Sequence, residues 1–383
     1  MTGTAFDLPL EVLRARQNVK WRKYAPDVLP AWVAEMDFPV AEPIKRVLRA
    51  AVEDDDTGYA DPRGLGEAFA PWARKTWGWE VAPSDVRVAP DVVTAIGELL
   101  LVATKPGDGV VIDPPVYHPF AWTIRRLHRT VVETPLTRSE SGSLQLDLDA
   151  IERAYAAGAR VHILCSPHNP AGVVHPKATL ARIAELAAHH DVLVLSDEIH
   201  APLTHAGATH APFPTVSSDA ARTSIVLTSA SKTWNLAGLK AAMTVACHDA
   251  PRAVLDRLPI ELPYHSGHLG VLGARAAFEQ GSEWLAATLR ILDRNRRLVT
   301  DLLAEHLPRA RYVVPQASYL AWIDCTDLGL GRDPAKAFLD RGRVALSSGP
   351  IFGTGGEGYA RLNFATTRTL LEEAVRRMAK ELK

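Results

Sequence analysis

The sequence predicts an α/β fold, with a mostly parallel sheet in a large domain and a smaller α+β domain after it. Two observations carry that prediction. Short apolar β-rich runs alternate with longer helical patterns through the middle of the chain, the rhythm of a parallel sheet with crossover helices. That rhythm then stops, and a proline-rich stretch, two long helical patterns and a strand-like run follow. The 383 residues are enough for a large core and too many for one small domain.

In chain order, the strand-like runs are VVID at 110, RVHILC at 160, VLVLSDE at 192 and TSIVLTS at 223. The segment 176–190, PKATLARIAELAAHH, opens with proline at a first-turn position and repeats apolar residues at helical spacing, so it reads as a crossover helix. The proline-rich stretch 251–263 breaks the pattern. Helical patterns follow at 270–280 and 283–306, then strand-like SYLAWIDC at 318–325 and a closing helix at 367–383. These features place the large domain at 45–284 and the small domain at 1–44 together with 285–383.

Hydrophobic residues make up 47% and charged residues 23%, as in ordinary globular enzymes. A formal net charge of -1 offers no global field for nucleic acid or an anionic membrane. The opening MTGTAFDLPLEVLRARQ carries Asp7 and Glu11 and lacks the apolar core of a secretory signal. No run approaches the roughly 20 apolar residues of a membrane span, and a cytoplasmic protein is expected. Cys165, Cys247 and Cys325 lie far apart without a CxxC, so they read as small buried residues in strands.

Ligands of doubly wound sheets sit at the C-terminal ends of strands, so the polar residues that end the apolar runs matter most. RVHILCSPHNPAG ends on Asn169, VLVLSDEIH on Asp197 and His200, and IVLTSASK on Ser229, Ser231 and Lys232. Singly, each has a structural explanation: Asp197 as a helix cap, Asn169-Pro170 as a turn, Lys232 as a solvated lysine. Jointly they form a site for an anionic, aromatic, carbonyl-bearing ligand.

NPAG, DEIH and SASK resemble the pyridoxal 5'-phosphate (PLP) enzymes of the aspartate aminotransferase fold, fold type I. More narrowly, WVAEMDFPVAEP (32–43), PPVYHPF (114–120), SPHNPAG (166–172), SDEIH, SASKTWNLAGLK (229–240) and GYARLNFAT (358–366) resemble the MalY/PatB group of cystathionine β-lyases nearly end to end. By that resemblance, Lys232 would bind the cofactor's aldehyde covalently and then act as general base at the substrate Cα. Asp197 would keep the pyridine nitrogen protonated and so make the ring an electron sink. Asn169 and His200, the latter where many relatives carry tyrosine, would bond the phenolate oxygen, and Tyr117 would stack on the ring. Ser229, Ser231 and Lys240 would hold the phosphate, joined by the backbone N–H groups of Val92 and Val93 at a helix N-terminus. Lys240 stands where aspartate aminotransferases place arginine, so a point charge replaces a bidentate fork. Arg361 would clamp the substrate α-carboxylate, with Asn169 and Tyr117 alongside. Tyr59 would reach the phosphate of the neighbouring subunit in a homodimer.

Asp91 stands where such relatives usually carry glycine; its carboxylate would cap the helix that follows and also add negative charge near a phosphate. Ser166, Ala171, Val173 and Ala317 also depart from the usual wording, and are expected at the pocket rim. The activity implied is a carbon–sulfur β-lyase that releases thiol, pyruvate and ammonia from L-cystathionine or another S-substituted L-cysteine. The same contacts would serve an aminotransferase, or a tailoring enzyme, decarboxylating or acting on a cysteine S-conjugate. A PLP-binding regulator would need a DNA-binding module, for which the chain has no room before WVAEMDF. The GxGxxG match at 353–358 feeds into strand-like YARLNFA rather than a helix, so it is not read as a dinucleotide site. His200, His205 and His210 share no helical face and HExxH is absent, so no metal is expected.

Overall fold

The structure, a computed structural model, describes residues 6–140 and 142–380. Seven strands form the central sheet: β1 Val86–Ala89, β2 Gly109–Ile112, β3 Thr130–Glu133, β4 Val161–Cys165, β5 Leu193–Asp197, β6 Ser224–Thr228 and β7 Ala242–Val245. Their spatial order is β1-β7-β6-β5-β4-β2-β3, parallel throughout except for β7, which runs against both neighbours. The four strand-like runs of the sequence are β2, β4, β5 and β6.

Both faces of this sheet are covered, which is why its inner strands read as near-continuous apolar runs. In β4, Val161, Ile163 and Cys165 pack into one apolar layer with Ile96, Leu99 and Phe120. Leu164 points to the opposite layer, with Leu180 and Ile183. Helix α1, Val92–Ala103, belongs to the first layer and α2, Lys177–His189, to the second. Pro176 is not inside the first turn of α2 as its sequence suggests; it is the residue before it, with an extended ψ of 140°. Likewise, the stretch 251–263 is not a plain break, because Asp249–Leu255 is helical across Pro251. First-turn N–H groups lack intrahelical acceptors, so proline costs little there.

A second, antiparallel sheet contains β8 Arg311–Tyr312, β9 Leu320–Asp324, β10 Ser347–Ser348 and β11 Tyr359–Asn363, in the order β8-β9-β11-β10. The two long helical patterns are α3, His268–Gln280, and α4, Ser282–His306; the closing helix α5 is Arg368–Lys380, and 381–383 lie outside the described residues. Among the described residues, no helix is long and apolar enough to cross a membrane. Cys165 is buried in β4 as expected; Cys325 is buried but follows the end of β9, and Cys247 is only half-buried and lies beyond the end of β7.

One irregular segment, 31–38, links the two sheets. Before it, Leu29–Pro30 pairs in parallel with Val344–Ala345. Asn363 on β11 donates to the carbonyls of Val33 and Glu35 at 2.7 and 2.6 Å. Asn235, held in the left-handed region at φ 60°, accepts from Met36 N at 2.8 Å and donates to Met36 O at 2.9 Å. Lys20 forms a 2.8 Å ion pair with Asp37, the two side chains 1% and 2% exposed, and Trp21 Nε1 donates to the same carboxylate. Breaking such a pair leaves an uncompensated buried charge. Lys20→Met is therefore expected to cost about 3–5 kcal/mol of stability, read as a lower unfolding midpoint; an unchanged midpoint would contradict this role for the pair.

Candidate active site

Register brings the chemistry together. Cys165 pairs with Asp197, and Asp197 with Leu227, so β4, β5 and β6 end in one row. The loops leaving that row line one cavity of 760 Å³. Tyr117, Asn169, Asp197, His200, Ser229, Ser231, Lys232, Lys240, Val92, Val93 and Arg361 all reach it. Tyr59 does not line it and is 88% exposed.

Lys232 lies in the short helix Ala230–Thr233, capped by Ser229. Its Nζ donates to Ala34 O at 3.0 Å, and Tyr319 Oη donates to the same carbonyl at 3.0 Å. Burial lowers the amine's pKa to about 8, because desolvation disfavours the charged form. Asp197 shows the opposite response: burial raises its pKa to about 7, against a backbone N–H from Ile199 at 3.1 Å. His200 Nδ1 lies 3.1 Å from Ser318 Oγ; burial, then Lys232 and Arg361, push its pKa down to about 3. The ring is therefore neutral, and Nε2 is the nitrogen open to a ligand. Burial also raises the Tyr117 phenol pKa.

Arg361 on β11 is 4% exposed. Nη1 donates to Asn169 Oδ1 at 2.9 Å, and Nη2 to Trp32 O and Ser347 Oγ at 3.1 and 3.0 Å. Phe352 lies beneath, 4.9 Å from the guanidinium carbon, and Nε has no partner. All these partners are neutral. The buried cation thus lacks a counter-charge, and burial has lowered its pKa to about 10.

At the other end of the cavity, Asp91 caps the helix as its position suggested, and it also pairs with a lysine. Its Oδ1 accepts from Thr94 N at 2.8 Å, capping α1, and its Oδ2 pairs with Lys240 Nζ at 3.1 Å. Burial alone would raise its pKa, but the Thr94 N–H and Lys240 hold it below the usual value. Ser229 Oγ donates to Ala241 O at 2.6 Å and accepts from Ser231 N at 3.0 Å.

These residues fit PLP on the structure's own terms. A desolvated amine, a buried carboxylate short of a proton donor and a helix N-terminus with a lysine and two serines line one cavity. A protonated ring nitrogen would compensate Asp197, and an anion would suit the helix end. The expectation for the other departures is corrected: Ser166, Ala171, Val173 and Ala317 do not line this cavity. Ser166 is buried with its N–H on Asp197 O, Ala317 is fully buried beside Thr204, and Ala171 and Val173 face a separate 490 Å³ cavity. His205 and His210 bond to Ser318 O and Glu198 respectively. Among the described residues, no group of three or more His, Cys, Asp or Glu could hold a metal ion. Trp32, Ala34, Ser318 and Ser347 were missed as contacts; Trp32 and Ala34 lie inside the quoted WVAEMDF block, whereas the serines carry no motif.

The Aminotransferase class I and II family model matches residues 33–378. A Mycobacterium tuberculosis protein whose name proposes a cystathionine beta-lyase is 43% identical over 98% of this chain and 97% of its own. Cystathionine beta-lyase PatB of Bacillus subtilis is 33% identical over 94% and 96%. Cystalysin from Treponema denticola, solved with a PLP cofactor, superposes with a TM-score of 0.90 at 26% identity, covering 99% and 100%.

Two expectations follow from the geometry. Asp91→Asn keeps the cap but frees the charge of Lys240, so it should tighten equilibrium PLP binding by about three- to tenfold, measured by titrating the apoprotein spectroscopically; weaker binding would contradict it. Covalent uptake of PLP needs the neutral amine, and burial holds the Lys232 pKa near about 8. Its rate should therefore rise about tenfold per pH unit below that value and level off above it, whereas a flat profile would count against Lys232 as the amine.

Proposed function

The chain belongs to the class I and II aminotransferase family, in its MalY/PatB cystathionine β-lyase branch, and from that premise we propose a PLP-dependent carbon–sulfur β-lyase acting on L-cystathionine or another S-substituted L-cysteine. The overall reaction takes the thioether amino acid and water to a thiol, pyruvate and ammonium. The single observation that carries the reading is a desolvated Lys232 sharing one cavity with buried Asp197 and uncompensated Arg361. The names of the relatives support it.

PLP, when bound, supplies a protonated ring that draws electron density from the substrate Cα. Asp197 holds the proton on that ring. Arg361 takes the α-carboxylate in a bidentate grip and so gains a charged partner beside its neutral ones. Asn169, bonded to Arg361, links the substrate grip to the cavity wall and would also help hold the cofactor. Lys232, with an amine of pKa about 8 suited to work near neutral pH, would remove the Cα proton. Sulfur then leaves from Cβ.

The finer parts of the reading are proposals too. The domains are 45–284 and 1–44 with 285–383, although each cut lies just inside a helix, Glu42–Glu53 and α4. A homodimer uses Tyr59 across its interface, supported by the exposure of Tyr59, Ile260 and Tyr264, at 88%, 86% and 51%. The enzyme works in the cytoplasm.

The test is pyruvate and thiol release from L-cystathionine and S-ethyl-L-cysteine by the PLP-loaded protein, without keto acid. Equal yields of both products are expected, with Lys232→Ala slower by about a thousandfold. Thiol release by Lys232→Ala at the parental rate would overturn the mechanism. Amino-acid turnover that needs a keto acid and yields no thiol would make the protein an aminotransferase.

A further inference from the structure

The mouth of the cavity has no part in the chemistry above. Tyr24, Trp32, Trp122 and Ile351 wall it, and the last two, 58% and 41% exposed, stand at the opening. Tyr24 meets Trp32 edge to face at 6.0 Å. Lys23 also lines the cavity, with Nζ 4.2 Å from the centroid of the Trp32 ring and 5.5 Å from that of Tyr24, a cation held on an aromatic face. Because Trp32 O accepts from Arg361 Nη2 at 3.1 Å, this wall lies at the substrate end rather than the phosphate end.

Lys23 differs from its neighbour Lys20. Lys20 is buried and paired with Asp37, whereas Lys23 is exposed and has no carboxylate partner among the described residues. His118, also on the cavity wall, is neutral, because burial and then Arg361 push its pKa down to about 4. Of the wall's two carboxylates, Asp91 is engaged with Thr94 and Lys240, and Asp197 lies buried at the end of β5. The ammonium of Lys23 is therefore unopposed at the mouth.

The sulfur substituent is the part of the substrate with no partner in the chemistry above. Building on the β-lyase reading, we propose that Lys23, on the Trp32–Tyr24 wall, selects S-substituted cysteines whose thiol substituent ends in a carboxylate. The aromatic wall covers the methylene groups of the substituent, and the ammonium takes its anionic end. A cationic substituent is repelled, so selection works by exclusion as well as attraction.

The test is equilibrium binding to the PLP-loaded enzyme of two analogues that cannot eliminate. L-α-aminopimelate carries a methylene in place of sulfur and ends in a carboxylate; its ω-amide has nearly the same shape without the charge. The parent should bind the acid about tenfold more tightly than the amide, Lys23→Gln should bind both alike, and Lys23→Arg should keep the preference. Salt should shrink the acid's advantage in the parent, since exposed charges are screened. A preference unchanged in Lys23→Gln, or equal weakening of both ligands, overturns the proposal. Thiol release from uncharged S-ethyl-L-cysteine is followed alongside. Its absence with the binding preference intact counts against the elimination chemistry and not against Lys23.

Discussion

Three charges or near-charges taken out of water without ionic partners of their own organise this molecule: the amine of Lys232, the carboxylate of Asp197 and the guanidinium of Arg361. Each would be expensive to bury alone. Neutral groups hold the two cationic side chains in place, and two of the four that hydrogen-bond them come from the irregular segment 31–38. Trp32 O holds Arg361 and Ala34 O holds Lys232. The segment can do so because Asn235, Asn363 and the Lys20–Asp37 pair fix its own backbone and side chains. Charge compensation is left for ligands to complete.

The two sheets contribute different halves of the site. Strand ends of the parallel sheet place Asn169, Asp197 and Lys232, and the antiparallel sheet places Arg361 with Ser347 as its register neighbour. The 2.9 Å bond from Arg361 to Asn169 spans 192 residues of sequence and joins the halves. A shift of one sheet against the other would therefore be felt at both ends of the cavity. This explains how a grip on a substrate carboxylate can be registered against a cofactor held by a different layer of the fold.

What could be read from the sequence follows from how strands are buried. Inner parallel strands are apolar on both faces, so the polar residues that end them stand out, and Asp197 and the SASK lysine were legible for that reason. The edge strands β1 and β3 were not, since they are only partly buried and carry Arg87, Thr130 and Glu133, and neither was β7; β2, of the same four-residue length, was legible through its buried VVI run. Ser318 was invisible because it reaches the site only through His200, 118 residues away, and Ser347, which lines the cavity and bonds Arg361 14 residues away, because it carries no motif. Asp91 was legible as a residue but not in its balance, because its partner Lys240 lies 149 residues on. Pocket-rim roles for Ser166, Ala171, Val173 and Ala317 failed because proximity to a motif does not say which face of a loop meets the cavity.

The central claim is that this cavity holds PLP through Lys232. The most direct measurement is borohydride reduction of the PLP-loaded protein, followed by peptide mapping of the pyridoxyl label. The account predicts one label per chain, carried by Lys232. A label on Lys240 or Lys23, or no covalent label at all, would contradict it.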